Sequence, residues 1–334
     1  MSKVFELWDE VGGAFGPSGR EDAVRETIAG IAGAYIDDIT TDALGNLICR
    51  KKGSGKKVLF AAHMDSIGVV ATYIDDKGFI RFSQVGGLFK GDLINIVVRF
   101  ANGTRGVISY EEKTPFKELT MDNLFIDIGA KDRADAESMV QVGDFAVFDA
   151  PRFEQNGVLC GPYLDNRIGC VTLLLAMEQL AGAETENNLY FVFTAQEEVG
   201  LRGAGTAAFA IEPDVAIAVD VTDTGDLPER KTPMAVDMGK GPAIKVMDRS
   251  VICTPAVCAA LEQAAKDCGV ATQREILQFG GTDTAALQKA RAGVQAGAVS
   301  IPTRYIHSPS EMCAARDVED AAKLLARFAV CCGQ

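Results

Sequence analysis

Phe191-Val192-Phe193-Thr194-Ala195-Gln196-Glu197-Glu198-Val199-Gly200-Leu201-Arg202-Gly203 is a run of aromatic and β-branched residues that stops, without a gap, at two adjacent carboxylates. Such a run suits a central strand of an α/β sheet, and open sheets bind ligands at the carboxyl ends of their strands. Neighbouring side chains on extended backbone point in opposite directions, so Glu197 and Glu198 can take two roles, one on a metal ion and one on a reacting water. Taken alone the pair favours a solvated turn, because most Glu side chains are exposed. The rest of the chain changes that balance.

Two further runs end in the same way. Lys57-Val58-Leu59-Phe60-Ala61-Ala62 reads as a buried strand closed by His63-Met64-Asp65, and Val215-Ala216-Ile217-Ala218-Val219-Asp220 as another that ends in a carboxylate. The chain has only two histidines, His63 and His307, each just after a predicted strand. Asp65 either caps a turn or stands behind a ligating imidazole and holds its tautomer. Asp165 precedes a predicted helix in Gly161-Pro162-Tyr163-Leu164-Asp165-Asn166-Arg167, where the ordinary role is an N-cap. Together His63, Asp165, Glu197, Glu198, Asp220 and His307 supply two imidazoles and four carboxylates at strand ends or helix starts, which converge in an α/β sheet. Mixed imidazole and carboxylate ligation suits zinc, cobalt or manganese, and the set is large enough for two ions with one bridging carboxylate.

At 334 residues the chain exceeds a single core, so one large and one smaller domain are expected. Residues 4–15 and 21–34 carry apolar side chains at helical spacing. Between them Ser18, with Glu21 three positions on, matches a capping box and predicts a second helix from near Gly19. Gly53-Ser54-Gly55-Lys56 is not a phosphate loop, which would need a glycine at Arg50 and a hydroxyl at Lys57. From Gly68 to about Gly157, short β-type runs at 69–74, 79–82, 93–98 and 106–110 are punctuated by glycine turns and one helical stretch, 134–140. They predict a small β-barrel or sandwich inserted into the larger domain. Beyond Gly161 helices are predicted at 166–180, 203–210, 254–268, 284–290 and 314–330, with strands at 189–194, 215–220, 275–277 and 295–301. The predicted division is a discontinuous α/β domain, 1–67 with 158–334, and an inserted β domain, 68–157.

A net charge of −13 argues against a nucleic-acid partner, which requires clustered Lys and Arg. No apolar run approaches membrane-spanning length, and the first residues show no secretory pattern, so a cytoplasmic protein is expected. The nine cysteines are scattered, odd in number and without a Cys-x-x-Cys pair, as for reduced thiols.

His63-Met64-Asp65, Leu164-Asp165-Asn166-Arg167, Gln196-Glu197-Glu198-Val199-Gly200, Val219-Asp220-Val221-Thr222, Gly280-Gly281-Thr282-Asp283 and Tyr305-Ile306-His307-Ser308-Pro309 resemble, in order, the motifs of the tetrahedral aminopeptidases, dinuclear metallopeptidases that include glutamyl aminopeptidases. The likeness begins at Gly16-Pro17-Ser18-Gly19-Arg20-Glu21 and extends beyond His307. It implies a phosphorylase/hydrolase-like catalytic domain with an inserted small, PDZ-like β-barrel. It further implies two divalent ions, with His63 and Asp220 on one, Glu198 and His307 on the other, and Asp165 bridging. Glu197 would be the general base and Asp65 the carboxylate that orients His63. Zinc or cobalt ions, peptide substrates and assembly into a tetrahedral homododecamer follow from the same likeness. Ser66 stands where many members carry an acidic residue.

Three other readings compete. A glycosidase needs two carboxyl groups roughly 5 to 9.5 Å apart facing one sugar, which adjacent extended residues rarely provide. A thiol hydrolase would need a cysteine in an activating context, and none is recognisable. A non-catalytic assembly protein with a structural metal site would leave the candidate base Glu197 without a task.

Overall fold

The computed structural model describes residues 1–230 and 232–332. Helices α1 (Lys3–Gly13) and α2 (Asp22–Ala32) precede strands β1 (Asp38–Thr41), β2 (Leu47–Lys51) and β3 (Lys57–His63). The chain then builds a barrel from β4 (Gly68–Ile74), β5 (Ile80–Val85), β6 (Val97–Phe100), β7 (Arg105–Tyr110), β8 (Leu124–Asp127) and, after helix α3 (Arg133–Met139), β9 (Phe145–Phe148). It returns through β10 (Phe153–Gln155) and β11 (Val158–Gly161) to α4 (Leu164–Leu180), β12 (Asn188–Thr194), α5 (Arg202–Ile211), β13 (Val215–Thr222) and β14 (Ala243–Met247). The last elements are α6 (Pro255–Cys268), β15 (Gln273–Ile276), α7 (Thr284–Gln288), β16 (Gln295–Arg304), β17 (Glu311–Ala314) and α8 (Ala315–Cys331).

The large mixed sheet runs β1-β2-β12-β3-β13-β16-β17-β11-β10, with β14 beside β16 and β15 beside β14. Its centre is parallel: β12 pairs with β3, β3 with β13, and β13 with β16. These strands are apolar on both faces, as doubly covered parallel strands must be. Phe60, Ala62, Phe191, Phe193, Ile217 and Val219 face the main core, shared with α1, α2, α4, α6 and α8. The alternate residues Leu59, Ala61, Val192, Ala216 and Ala218 pack against Ala204, Ala207 and Ala208 of α5 and Leu287 of α7. Phe60 stacks on Phe191 at 5.3 Å between ring centroids and meets the edge of Phe328 at 6.3 Å. Truncating either ring of such a stack to Ala costs about 3–5 kcal/mol.

Small residues let α5 start close to the sheet. A Cβ on Gly203 would lie 2.1 Å from Asn46 Oδ1 and 2.5 Å from the Ala195 carbonyl oxygen, so only glycine fits behind the turn that carries Glu197. The barrel closes in the order β4-β5-β8-β7-β6-β9 around its own core, which includes Ile80, Phe100, Ile108 and Ile126. Ile67 and Tyr163, which lie outside residues 68–157, also join that core. The fold class expected from the sequence is the one observed.

Several local expectations differ. The first helix stops at Gly13, and the second begins at Asp22 with no side-chain cap from Glu21. The Ser18 hydroxyl is spent on Asp65, and Glu21 Oε1 accepts the N–H groups of Gly19 and Gln196, so both members of the supposed capping box have other partners. Leu93 enters the barrel core from a short turn, and the strand starts later, at Val97. Strands β8, β9, β11, β14 and β17 were not anticipated, nor was β10, which pairs with β11 in the large sheet although it lies within residues 68–157. Among the described residues no helix is long and apolar enough to cross a membrane.

Candidate metal centre

The four parallel strands deliver their carboxyl ends to one place, as open α/β sheets do at their binding crevice. His63 is the last residue of β3 and stands in register with Thr194, the last of β12. Two residues on, Gln196 takes a left-handed φ of 58°, and Glu197 and Glu198 follow. Asp220 lies within β13, and His307 follows three residues after the end of β16. Asp165 comes from the start of α4, where Asp165 and Asn166 depart from helical φ/ψ; no N-cap bond from Asp165 forms. The structure thus brings all six sequence-derived candidates, together with Asp65, to a single cluster.

The distances within it are short. His63 Nε2 lies 3.1 Å from Asp165 Oδ1, 3.7 Å from Asp220 Oδ1 and 3.8 Å from Glu197 Oε2. His307 Nε2 lies 3.2 Å from Asp165 Oδ2 and 3.3 Å from Glu198 Oε2. Asp165 therefore turns one oxygen to each imidazole. Ligand atoms of His63, Glu197 and Asp220 all fall within 4.8 Å of one another, as do those of His63, Asp165 and Glu198. His307 Nε2, close to Asp165 Oδ2 and Glu198 Oε2, is the second imidazole of the cluster. Behind His63, Nδ1 is 3.1 Å from the Asp65 carbonyl oxygen and 3.5 Å from Asp65 Oδ1.

The M42 glutamyl aminopeptidase family matches residues 45–324. The chain belongs to that family. It is 36% identical to the lysyl aminopeptidase of Pyrococcus furiosus over 335 residues, covering 96% of this chain and 95% of the relative. Its fold superposes on an aminopeptidase of the archaeon Desulfurococcus kamchatkensis with a TM-score of 0.94 at 37% identity, over 98% of this chain and 94% of that one. The TET1 peptidase of Pyrococcus horikoshii, which can assemble into a tetrahedron or a large octahedral shell, gives 0.90 at 32% identity over 98% and 99%. M42 membership makes this chain an aminopeptidase, a hydrolase of peptide bonds.

In this M42 chain the electrostatics of the cluster are dominated by crowded carboxylates. Burial alone would lower the pKa of each imidazole. For His63 the Glu197, Asp165, Asp220 and Asp65 carboxylates outweigh burial and hold it well above its ordinary value. For His307 burial is likewise overcome, by Glu198 and Asp165, and the pKa is pushed up to about 12. Burial raises Glu197, Glu198 and Asp220, with neighbouring carboxylates adding to it. Burial also opposes ionisation of Asp165 and Asp65, yet hydrogen bonds from the imidazoles hold both below the usual carboxylate range. Glu198 Oε1 and Asp283 Oδ1 are buried with no hydrogen-bond partner. Buried carboxylates with free oxygens around two imidazoles are a donor set that divalent cations satisfy, so the residues fit such ions.

The cluster opens into a cavity of about 990 Å³. Its walls include apolar Leu201, Leu227, Leu277 and Phe279, and also Gly87 and Phe89 from the segment between barrel strands β5 and β6. A Cβ at Gly86 would come 3.1 Å from Glu198 Oε2, so the barrel closes directly over this ligand candidate. The inserted segment holds none of the six candidates but does form part of the cavity wall.

Three supporting groups escaped the sequence reading. Glu21 accepts the Gln196 N–H at 3.1 Å, next to Glu197. Asp283, quoted in a motif but given no role, accepts the Thr194 hydroxyl at 2.5 Å, and burial with nearby Asp220 pushes it up to about 7 despite His63. Glu311, buried between Asp165 and His307, had no signal at all, since a lone Glu after Ser308-Pro309-Ser310 looks like loop polarity.

Proposed function

We propose that this aminopeptidase releases N-terminal residues from peptides using two divalent cations, zinc or cobalt, with Glu197 as general base. His63 and Asp220 would hold one cation and Glu198 and His307 the other, with Asp165 shared between them. Bound cations supply positive charge that lowers the pKa of a water towards about 7 and polarises the scissile carbonyl. Glu197 takes the proton of the attacking water and returns it to the leaving amine as the C–N bond breaks. Asp65 keeps the His63 ring oriented from its Nδ1 side, and its two backbone acceptances from Glu197 and Glu198 hold base and ligand in fixed relation. The observation that carries this reading is Asp165, whose two oxygens address different imidazoles at 3.1 and 3.2 Å.

The same reading assigns residues 1–67 and 158–334 to the catalytic domain and residues 68–157 to an inserted domain that mediates homo-oligomerisation, as a tetrahedral dodecamer. The shells formed by the Pyrococcus horikoshii relative support assembly into a closed particle. Nine unpaired thiols support a reducing, cytoplasmic location.

The test is a panel of aminoacyl-amide substrates offered to protein stripped of divalent ions and then reconstituted with zinc or cobalt. Turnover is expected to vanish on stripping and return with two ions per chain. Full activity in a demonstrably metal-free preparation overturns the proposal.

A further inference from the structure

Strand β17 lies between β11 and β16 in the large sheet. On one side Glu311 pairs with Gly161, and on the other Met312 pairs with Arg304. Both neighbours lead straight into the metal centre, β11 into the turn that carries Asp165 and β16 into the turn that carries His307. Glu311 heads β17 and is 1% exposed. Its Oε2 accepts the backbone N–H of Asp165 at 3.0 Å, and its Oε1 accepts that of His307 at 2.8 Å. One carboxylate therefore spans two turns that are 142 positions apart in sequence (307 − 165).

Those turns need such a brace. Tyr163 has φ 66°, Tyr305 φ 59° and His307 φ 66°, left-handed conformations that non-glycine residues hold only where their surroundings over-determine them. A carboxylate suits the task because it offers two acceptor oxygens at a fixed spacing and no donor, so it can take one N–H on each side.

We infer that Glu311 is a positioning residue: it sets the separation of Asp165 and His307, and through it the affinity of the cation held on the His307 and Glu198 side. This rests on the proposed two-ion centre. Glu311→Gln keeps the shape but turns an N–H donor towards one of the two backbone N–H groups, releasing one turn.

The experiment is equilibrium binding of cobalt(II) to ion-free wild type, Glu311→Gln and Glu311→Asp, read by visible absorbance and by elemental analysis after dialysis, alongside thermal unfolding of the ion-free proteins. Wild type should take up two ions. Glu311→Gln should bind the ion on the His307 and Glu198 side about 10- to 100-fold more weakly, and the ion on the His63 and Asp220 side, which shares only Asp165 with that brace, less so. Glu311→Asp, with both acceptors on a shorter stem, should fall between. A purely structural role would lower thermal stability and leave both affinities unchanged. Wild-type affinity for both ions in Glu311→Gln, equal weakening of both, or failure of both variants to fold overturns the inference. A wild-type chain that binds no cobalt(II) overturns the proposed function itself.

Discussion

Ser18 donates its hydroxyl to Oδ2 of Asp65 at 2.6 Å, deep in the protein. The bond ties the N-terminal turn to the carboxylate behind His63, whose Oδ1 accepts the Glu197 N–H at 2.9 Å and whose Oδ2 also accepts the Glu198 N–H at 3.2 Å. Ser18→Ala leaves Oδ2 with only the longer of its two bonds. A loss of about 1–3 kcal/mol in stability is expected, because the oxygen stays buried. Urea unfolding measures it, and kcat should fall several-fold with metal content unchanged. Wild-type stability together with wild-type turnover would show that the bond carries no load.

Glu197 and Glu198 are adjacent yet should respond differently to substitution. Glu197→Gln is expected to keep both ions and lose roughly 10²- to 10⁴-fold in turnover, the usual contribution of a general base. Glu198→Ala should lose an ion as well, since its Oε2 lies 3.3 Å from His307 Nε2. Elemental analysis of the two purified variants decides, and equal metal loss in both would exchange or merge their roles.

Ion binding should release protons. Burial lowers an imidazole's pKa, but the surrounding carboxylates hold His63 well above its ordinary value and push His307 up to about 12, which favours the protonated rings when no ion is bound. A ligating imidazole must be neutral, so each cation displaces at least one proton and the apparent affinity falls as pH falls. The expected slope is about tenfold per pH unit for each proton released. Calorimetry in two buffers of different ionisation enthalpy measures the release. Buffer-independent heats and a flat pH profile would contradict it.

The barrel presents Val97 and Val107 directly opposite each other on β6 and β7, both exposed, with Phe116 exposed nearby in sequence. An exposed cross-strand valine pair is an assembly surface on the proposed reading. Val107→Glu is expected to give smaller oligomers by light scattering while metal content is unchanged. A wild-type chain that is monomeric at micromolar concentration would remove the assembly role from the insert.

The legible parts of the sequence were those where burial is uniform. Lys57–His63, Asn188–Thr194 and Val215–Thr222 are apolar through most of their length, and their polar ends mark the site. Strand β14 was hidden because Lys245 sits at its centre, buried and neutralised by Glu275, so the apolar run is broken by a charge that the fold pairs elsewhere. Strand β17 was hidden for a similar reason, as it opens on buried Glu311. Ser18 and Glu21 matched a helix-capping pattern, but tertiary partners 47 and 175 positions away claim their side chains. Local pattern cannot weigh such distant competitors.

Ile67, four residues after His63, and Tyr163, two residues before Asp165, are packed into the core of the barrel, and the Tyr163 ring stacks on Phe148 of β9 at 5.9 Å. The chain therefore crosses between the large sheet and the barrel right beside His63 and Asp165. On the proposed reading, a change in how the barrel is held would reach the spacing of His63 and Asp165 through these two packed residues.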